Sequence, residues 1–284
     1  MRSQCRVYVL ATLVSLLAAP AFAHHEAIFG PQSSAVLSAG RFASTQVFTR
    51  ETGPEGDRRR QTTTVFSAGM QPFRQPLSVA VVVPVSFVGS TSTVAGRTGI
   101  EDVLLSARYR FELERFTNAL GLDESYFMGV GGVEVPTGTI DHEFGKGAVG
   151  TLAAGLMSLE RRPFSVIGYG YYHHTGDYNG TRESGNVFVG AGGAWTPIDN
   201  LQTGRLLSLQ LGLSHERTFA HQQNGAALAN SGGSGIFTHQ GVMVGVNEHV
   251  QLFALLSVAV QQQWGAPEDR QRFRFGAGTI LVFN

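Results

Sequence analysis

The sequence is short of charge, nearly free of cysteine, and lacks any long apolar run beyond its first residues. Its single cysteine is Cys5, in the amino-terminal stretch, so a disulfide framework is excluded. Charged residues make up only 15%, with 21 basic and 21 acidic side chains. That balance gives no basic excess of the kind that points to nucleic acid. Nowhere after the first residues does the chain approach the ~18 consecutive apolar residues of a membrane helix. No proline- or serine-rich linker and no shift in composition divides it, so it reads as one domain.

What is abundant is glycine, at 36 residues, and aromatic side chains, at 10%. The amino terminus has the layout of a secretory signal. Arg2 and Arg6 form a positive start, Val7–Leu17 an apolar centre, and Ala21-Phe22-Ala23 an A-x-A cleavage site. Residues 1–23 are therefore expected to be a cleaved signal peptide, and residues 24–284 an outer-membrane β-barrel.

The barrel expectation rests on alternation with a period of two. Leu207, Leu209, Leu211 and Leu213 fall on one face, and Ser208, Gln210, Gly212, Ser214 and Glu216 on the other. Val103, Leu105, Ala107, Tyr109 and Phe111 similarly oppose Asp102, Ser106, Arg108 and Arg110. Near the end, Phe273, Phe275, Ala277, Leu281 and Phe283 oppose Arg272, Arg274, Gly276 and Gly278.

Twelve such segments are expected, at 35–49, 61–70, 77–88, 102–111, 125–135, 149–159, 164–174, 186–196, 205–217, 235–246, 250–262 and 271–283. Most match the ~9–11 residues of a tilted membrane strand and exceed the ~5–6 of a typical soluble one. Polar, glycine-rich links at 51–60, 89–101, 136–148, 175–185, 218–234 and 263–270 alternate with tighter ones. Two of the latter, 112–124 and 197–204, are longer than the pattern asks, and the first has room for a short helix. Long loops on one side and short turns on the other suit an all-β, antiparallel transmembrane barrel of about twelve strands with both termini periplasmic. Tyr169, Tyr171, Tyr172, Trp195 and Phe283 near strand ends fit interfacial girdles. The competing expectation is a soluble β core that buries the same aromatics.

The stretch Gly-Ile-Glu-Asp-Val-Leu-Leu-Ser-Ala-Arg-Tyr-Arg-Phe, from Gly99 to Phe111, resembles the meta-pathway phenol-degradation family of outer-membrane proteins. Val135-Pro136-Thr137-Gly138 is similar to that family's strand-ending Pro-Thr-Gly. The likeness covers about 77–260 in layout. It departs at the start, His24-His-Glu-Ala-Ile-Phe-Gly-Pro31, and at the end, Val282-Phe283-Asn284, where such barrels usually finish on an aromatic residue. The resemblance implies a β-barrel through which small, often aromatic, compounds pass.

Three chemical readings compete with this one. A lipid-cleaving barrel would carry a His and a Ser two apart on one strand face, so that imidazole can activate hydroxyl. No His-x-Ser occurs, and the nearest substitute is His173 with Thr175. No catalytic residue and no cofactor are expected. His24 and His25 at the expected mature amino terminus could chelate Cu(II) together with the free α-amine, although a solvated start is the commoner meaning of such a pair. Gly129-Val-Gly-Gly132 and Gly190-Ala-Gly-Gly193 lie inside strands with no helix after them, so they are not phosphate loops.

The expected role is a channel or transporter for passive movement of small molecules, aromatic or hydrophobic compounds among them. A non-conducting structural barrel and a copper-associated protein are the alternatives. Expected partners are outer-membrane lipid and lipopolysaccharide, the barrel assembly machinery and a small-molecule solute. Candidate lumen residues are Asp102, Arg108, Arg110, Gln210, Glu216, Arg272 and Arg274. Four guanidiniums in a narrow conduit would favour anions, whereas pairing with Asp102 and Glu216 would cancel that field.

Overall fold

The computed structural model describes residues 42–53, 59–72, 76–90, 95–139, 144–182, 185–200, 203–266 and 270–283. The expected signal segment, with His24 and His25, lies outside them. Twelve strands form the wall: β1 (Phe42–Thr52), β2 (Arg59–Met70), β3 (Leu77–Val88), β5 (Val103–Glu112), β6 (Glu124–Val135), β7 (Gly150–Arg161), β8 (Phe164–Thr175), β11 (Asn186–Asn200), β12 (Arg205–Thr218), β15 (Gly233–Asn247), β16 (Val250–Trp264) and β17 (Gln271–Val282). A short β4 (Arg97–Ile100) precedes β5, and both pair with β3. Every strand pairs antiparallel with its sequence neighbour in the wall. Phe42 on β1 pairs with Val282 on β17, which closes the ring. Both ends of the wall therefore sit at the short-turn end.

Polarity decides which solvent the wall faces. On β12 the leucines point outward, with Leu209, Leu211 and Leu213 exposed by 43%, 64% and 52%. Ser208 and Gln210 on the same strand are 1% and 7% exposed. A soluble β core would bury the leucines and wet the serines. Here the order is inverted all round the ring, with Val79, Val81, Leu105, Phe127, Val166, Leu252 and Phe275 also exposed. An outward apolar band over a mixed interior is the pattern of a membrane barrel.

Small residues make room where bulky ones point inward. A Cβ on Gly278 would lie 2.8 Å from the Phe253 ring, and one on Gly276 2.8 Å from Phe48. The inner surface is thus packed by rings seated over glycines of the adjacent strand, a use of strand glycine that depends on space.

Three features depart from the expected layout, and a fourth follows it. Residues 97–100, part of the expected 89–101 link, extend the wall as β4. The long link expected at 197–204 shrinks, because β11 runs on to Asn200 through a pairing irregularity between Trp195 and Ile198. The 112–124 link holds the anticipated helix, α1 (Glu114–Leu120), closed by Gly121 in the left-handed region. Described parts of the links at 175–185 and 218–234 pair with each other in a sheet separate from the wall. Hairpins β9 (Asp177–Tyr178) with β10 (Thr181–Arg182), and β13 (Gln222–Gln223) with β14 (Ala226–Ala227), join into one four-stranded sheet. Each turns on an Asn-Gly pair, Asn179-Gly180 and Asn224-Gly225, with φ of 50°, 76°, 51° and 81°. Those angles belong to two-residue hairpin turns, which asparagine and glycine tolerate best.

Candidate functional site

The inner wall is divided by chemistry. From β6 through β11 its middle is apolar and aromatic, with Met128, Val130, Leu156 and Ile167 buried together, while Ser125, Ser158 and Glu160 are buried nearer the short turns. Phe188 stacks between two tyrosines there, 5.3 Å from Tyr169 and 5.2 Å from Tyr171. The adjoining β12 presents Ser208, Gln210, Ser214 and Glu216 to the same interior. His239 on β15 continues that polar arc. Its Nδ1 lies 2.7 Å from Ser257 Oγ and its Nε2 2.7 Å from Ser214 Oγ, so the imidazole ties three strands together.

Near the short-turn end, Arg108 and Arg110 on β5 are both buried. Arg108 lies over the Phe42 ring, 5.1 Å from its centroid. Arg110 donates from Nε to Glu112 at 2.6 Å, bonds Glu124 through Nη2, and covers Tyr126 at 3.8 Å. Near the long-loop end, Arg274 on β17 grips Glu216 on β12 with two bonds of 2.5 and 2.6 Å. This bridge spans β15 and β16 as a chord, and its guanidinium lies 4.1 Å from the Phe237 centroid. Gln271 accepts from Arg274 Nε at 2.6 Å, which completes the fork. Gln210 is buried beside Gly241.

Two expected lumen residues behave otherwise. Asp102 is buried, but its carboxylate accepts from the backbone N–H of Gly138 and of Lys146, each at 2.8 Å. It anchors the 136–148 loop to the mouth, where Phe144 is buried against Gly99. Arg272 is exposed and does not repeat the inward placement of Arg274. The cause is an extra residue on β17, since Arg50 pairs with Arg274 while Thr52 pairs with Gln271. This bulge turns Gln271 inward and Arg272 out, into a cleft of about 360 Å³ with Glu51, Gln262 and Arg270. Beyond Val258 the β16–β17 ladder gives way, and the Gln262 carboxamide spans the gap to the backbone of Gln271 at 2.8 and 2.9 Å.

The mouth carries a second charged group. Lys146, the only lysine of the chain, lies 2.6 Å from Glu134, which also meets His173 Nε2 at 2.9 Å. His173 is thus engaged by a carboxylate, and not by the Thr175 hydroxyl that sequence spacing suggested. Outside the wall, Asp177 takes two bonds from Arg182, which hold its carboxyl below the ordinary range. The residues that spacing could not reveal are His239, Ser257 and Glu134, whose partners lie on other strands. Only the pairing register brings them together.

No family model and no curated protein matches the chain. Among solved structures it is similar to an outer membrane channel from Pseudomonas putida, with a TM-score of 0.71 and 14% identity over 90% of this chain and 100% of that one. The fold is that of an outer-membrane β-barrel. Looser likenesses are LpxR from Salmonella typhimurium, at TM-score 0.52 and 8% identity over 85% and 100% of the two chains, and the β domain of the Bordetella autotransporter BrkA, at 0.51 and 13% over 86% and 99%.

Proposed function

We propose that this chain is an outer-membrane channel for passive passage of small molecules, and that its solutes are aromatic or hydrophobic compounds carrying a polar group. The observation that carries this reading is the divided interior. An aromatic arc of Tyr169, Phe188 and Tyr171 adjoins a polar arc of Ser214, Glu216 and His239 inside one closed wall. A solute with a ring and a hydroxyl or carboxyl finds both kinds of partner there. The family resemblance at Gly99–Phe111 points to the same class of solute. In this reading residues 1–23 are removed on export and the long loops face outward.

The test is electrical. Reconstituted in a planar bilayer, the protein should conduct ions, and benzoate added to one side should reduce the current by occupying the aromatic arc. Phe188→Ser should abolish that block and leave conductance in place. A current insensitive to benzoate would remove the solute assignment.

A second reading, a non-conducting structural barrel, is favoured by how fully the interior is occupied. Arg108, Tyr126, Phe237 and His239 are all 0–1% exposed. Absence of conductance at every applied voltage would support it.

A further inference from the structure

The outer wall over β12, β15 and β16 is a field of exposed apolar side chains, among them Leu209, Leu211, Leu213, Val244, Leu256 and Val258. One carboxamide interrupts it. Gln240 is the central residue of the 15-residue β15, it is exposed, and its lateral partners are Leu211 on β12 and Leu256 on β16. Among the described residues its side chain has no hydrogen-bond partner. The backbone groups beside it are committed to the ladders with β12 and β16. The opposite wall shows what such a position normally holds, since Leu105, Ala107 and Tyr109 point outward on β5.

A hydrocarbon core is ~30 Å thick, so a strand's midpoint lies ~15 Å from either interface, beyond the reach of a glutamine side chain. Lipid tails offer neither donor nor acceptor, so a carboxamide there lacks the partners that buried polar groups find. A carboxamide has two N–H donors and a carbonyl acceptor. Two of them facing each other across a two-fold axis satisfy one another, the isologous arrangement of a symmetric dimer.

We propose that the β12–β15–β16 face docks a second copy of this chain, with Gln240 of each copy hydrogen-bonded to Gln240 of the other. Both copies insert with the same topology, so the two-fold axis runs along the membrane normal. The surrounding leucines and valines supply packing, which together with interchain hydrogen bonds drives association in lipid.

The test measures self-association of the full barrel in lipid vesicles by energy transfer between labelled copies across a range of protein-to-lipid ratios. Gln240→Leu keeps the side-chain size and suits a lipid-facing site, so the variant should fold at least as well. It should weaken self-association roughly threefold to thirtyfold, the range for amide hydrogen bonds between spanning segments. A cysteine replacing Leu211 should cross-link between copies, and one replacing Leu105 on the opposite wall should not. Wild-type protein that stays monomeric at every ratio, association unchanged in Gln240→Leu, or cross-linking at Leu105 instead of Leu211 would each overturn the proposal.

Discussion

A leucine and a glutamine adjacent on β12 face two different solvents. Leu209 and Leu211 meet lipid, and Gln210 between them is buried on the inner wall. Arginine at either leucine should cost about 2–4 kcal/mol if the site lies near the bilayer midplane. Arginine at Gln210 should cost much less, because its head reaches the polar arc of Ser208 and Ser214. Folding titrations in lipid vesicles measure the three variants directly. Equal costs would show that the strand faces are misassigned. This inside-out arrangement was legible in the sequence because the period of two holds without a break across Leu207–Leu213. The same logic failed at Arg272. Parity placed it with Arg274, yet one extra residue on β17 reverses parity beyond the bulge. A bulge leaves no mark in hydrophobic alternation when its neighbours are polar, as Gln271 and Arg272 are.

At the scale of elements, strand positions were legible and loop structure was not. The segment expected at 77–88 is β3 residue for residue, and 205–217 differs from β12 by a single position. Alternation marks strands because lipid and interior impose opposite demands on successive residues. Loops feel no such demand, so β4 and the separate four-stranded sheet went unseen. Asn179-Gly180 and Asn224-Gly225 were the available signals for the two hairpins, but their mutual pairing depends on where the barrel places them. The 136–148 loop shows how such segments are held. Asp102 accepts two backbone N–H bonds from it, at 2.8 Å each. Asp102→Asn removes the charge that strengthens both bonds and leaves one acceptor oxygen in place of two. Bonds to charged groups contribute about 1.5–3 kcal/mol each, so the loop should open locally while the wall persists. Amide hydrogen exchange should accelerate at Gly138 and Lys146, with thermal unfolding of the barrel little changed. Unaltered exchange at both amides would mean that the Phe144 packing alone holds the loop.

For the whole molecule, the question is whether the interior carries a net field. Of the expected arginines, Arg110 is matched by Glu112 and Glu124, and Arg274 by Glu216. Paired charges close together contribute little at the distance of a passing ion, so the focused anion-attracting field expected of four free guanidiniums is largely cancelled. The chord between β12 and β17 makes this testable from both ends. On the channel reading proposed above, Glu216→Gln leaves the Arg274 guanidinium without its counter-charge, and the current should move toward anion preference. Arg274→Gln leaves the Glu216 carboxylate instead, and the preference should move toward cations. Each single variant breaks a buried pair, at a cost of about 3–5 kcal/mol, whereas the double variant with both charges removed should cost less. Reversal potentials in a salt gradient report the preference, and thermal unfolding reports the cost. Opposite shifts in the single variants, with the double variant close to wild type, identify the bridge as the element that sets the lumen's charge balance. Shifts of the same sign, or none, would place the current's path away from the chord.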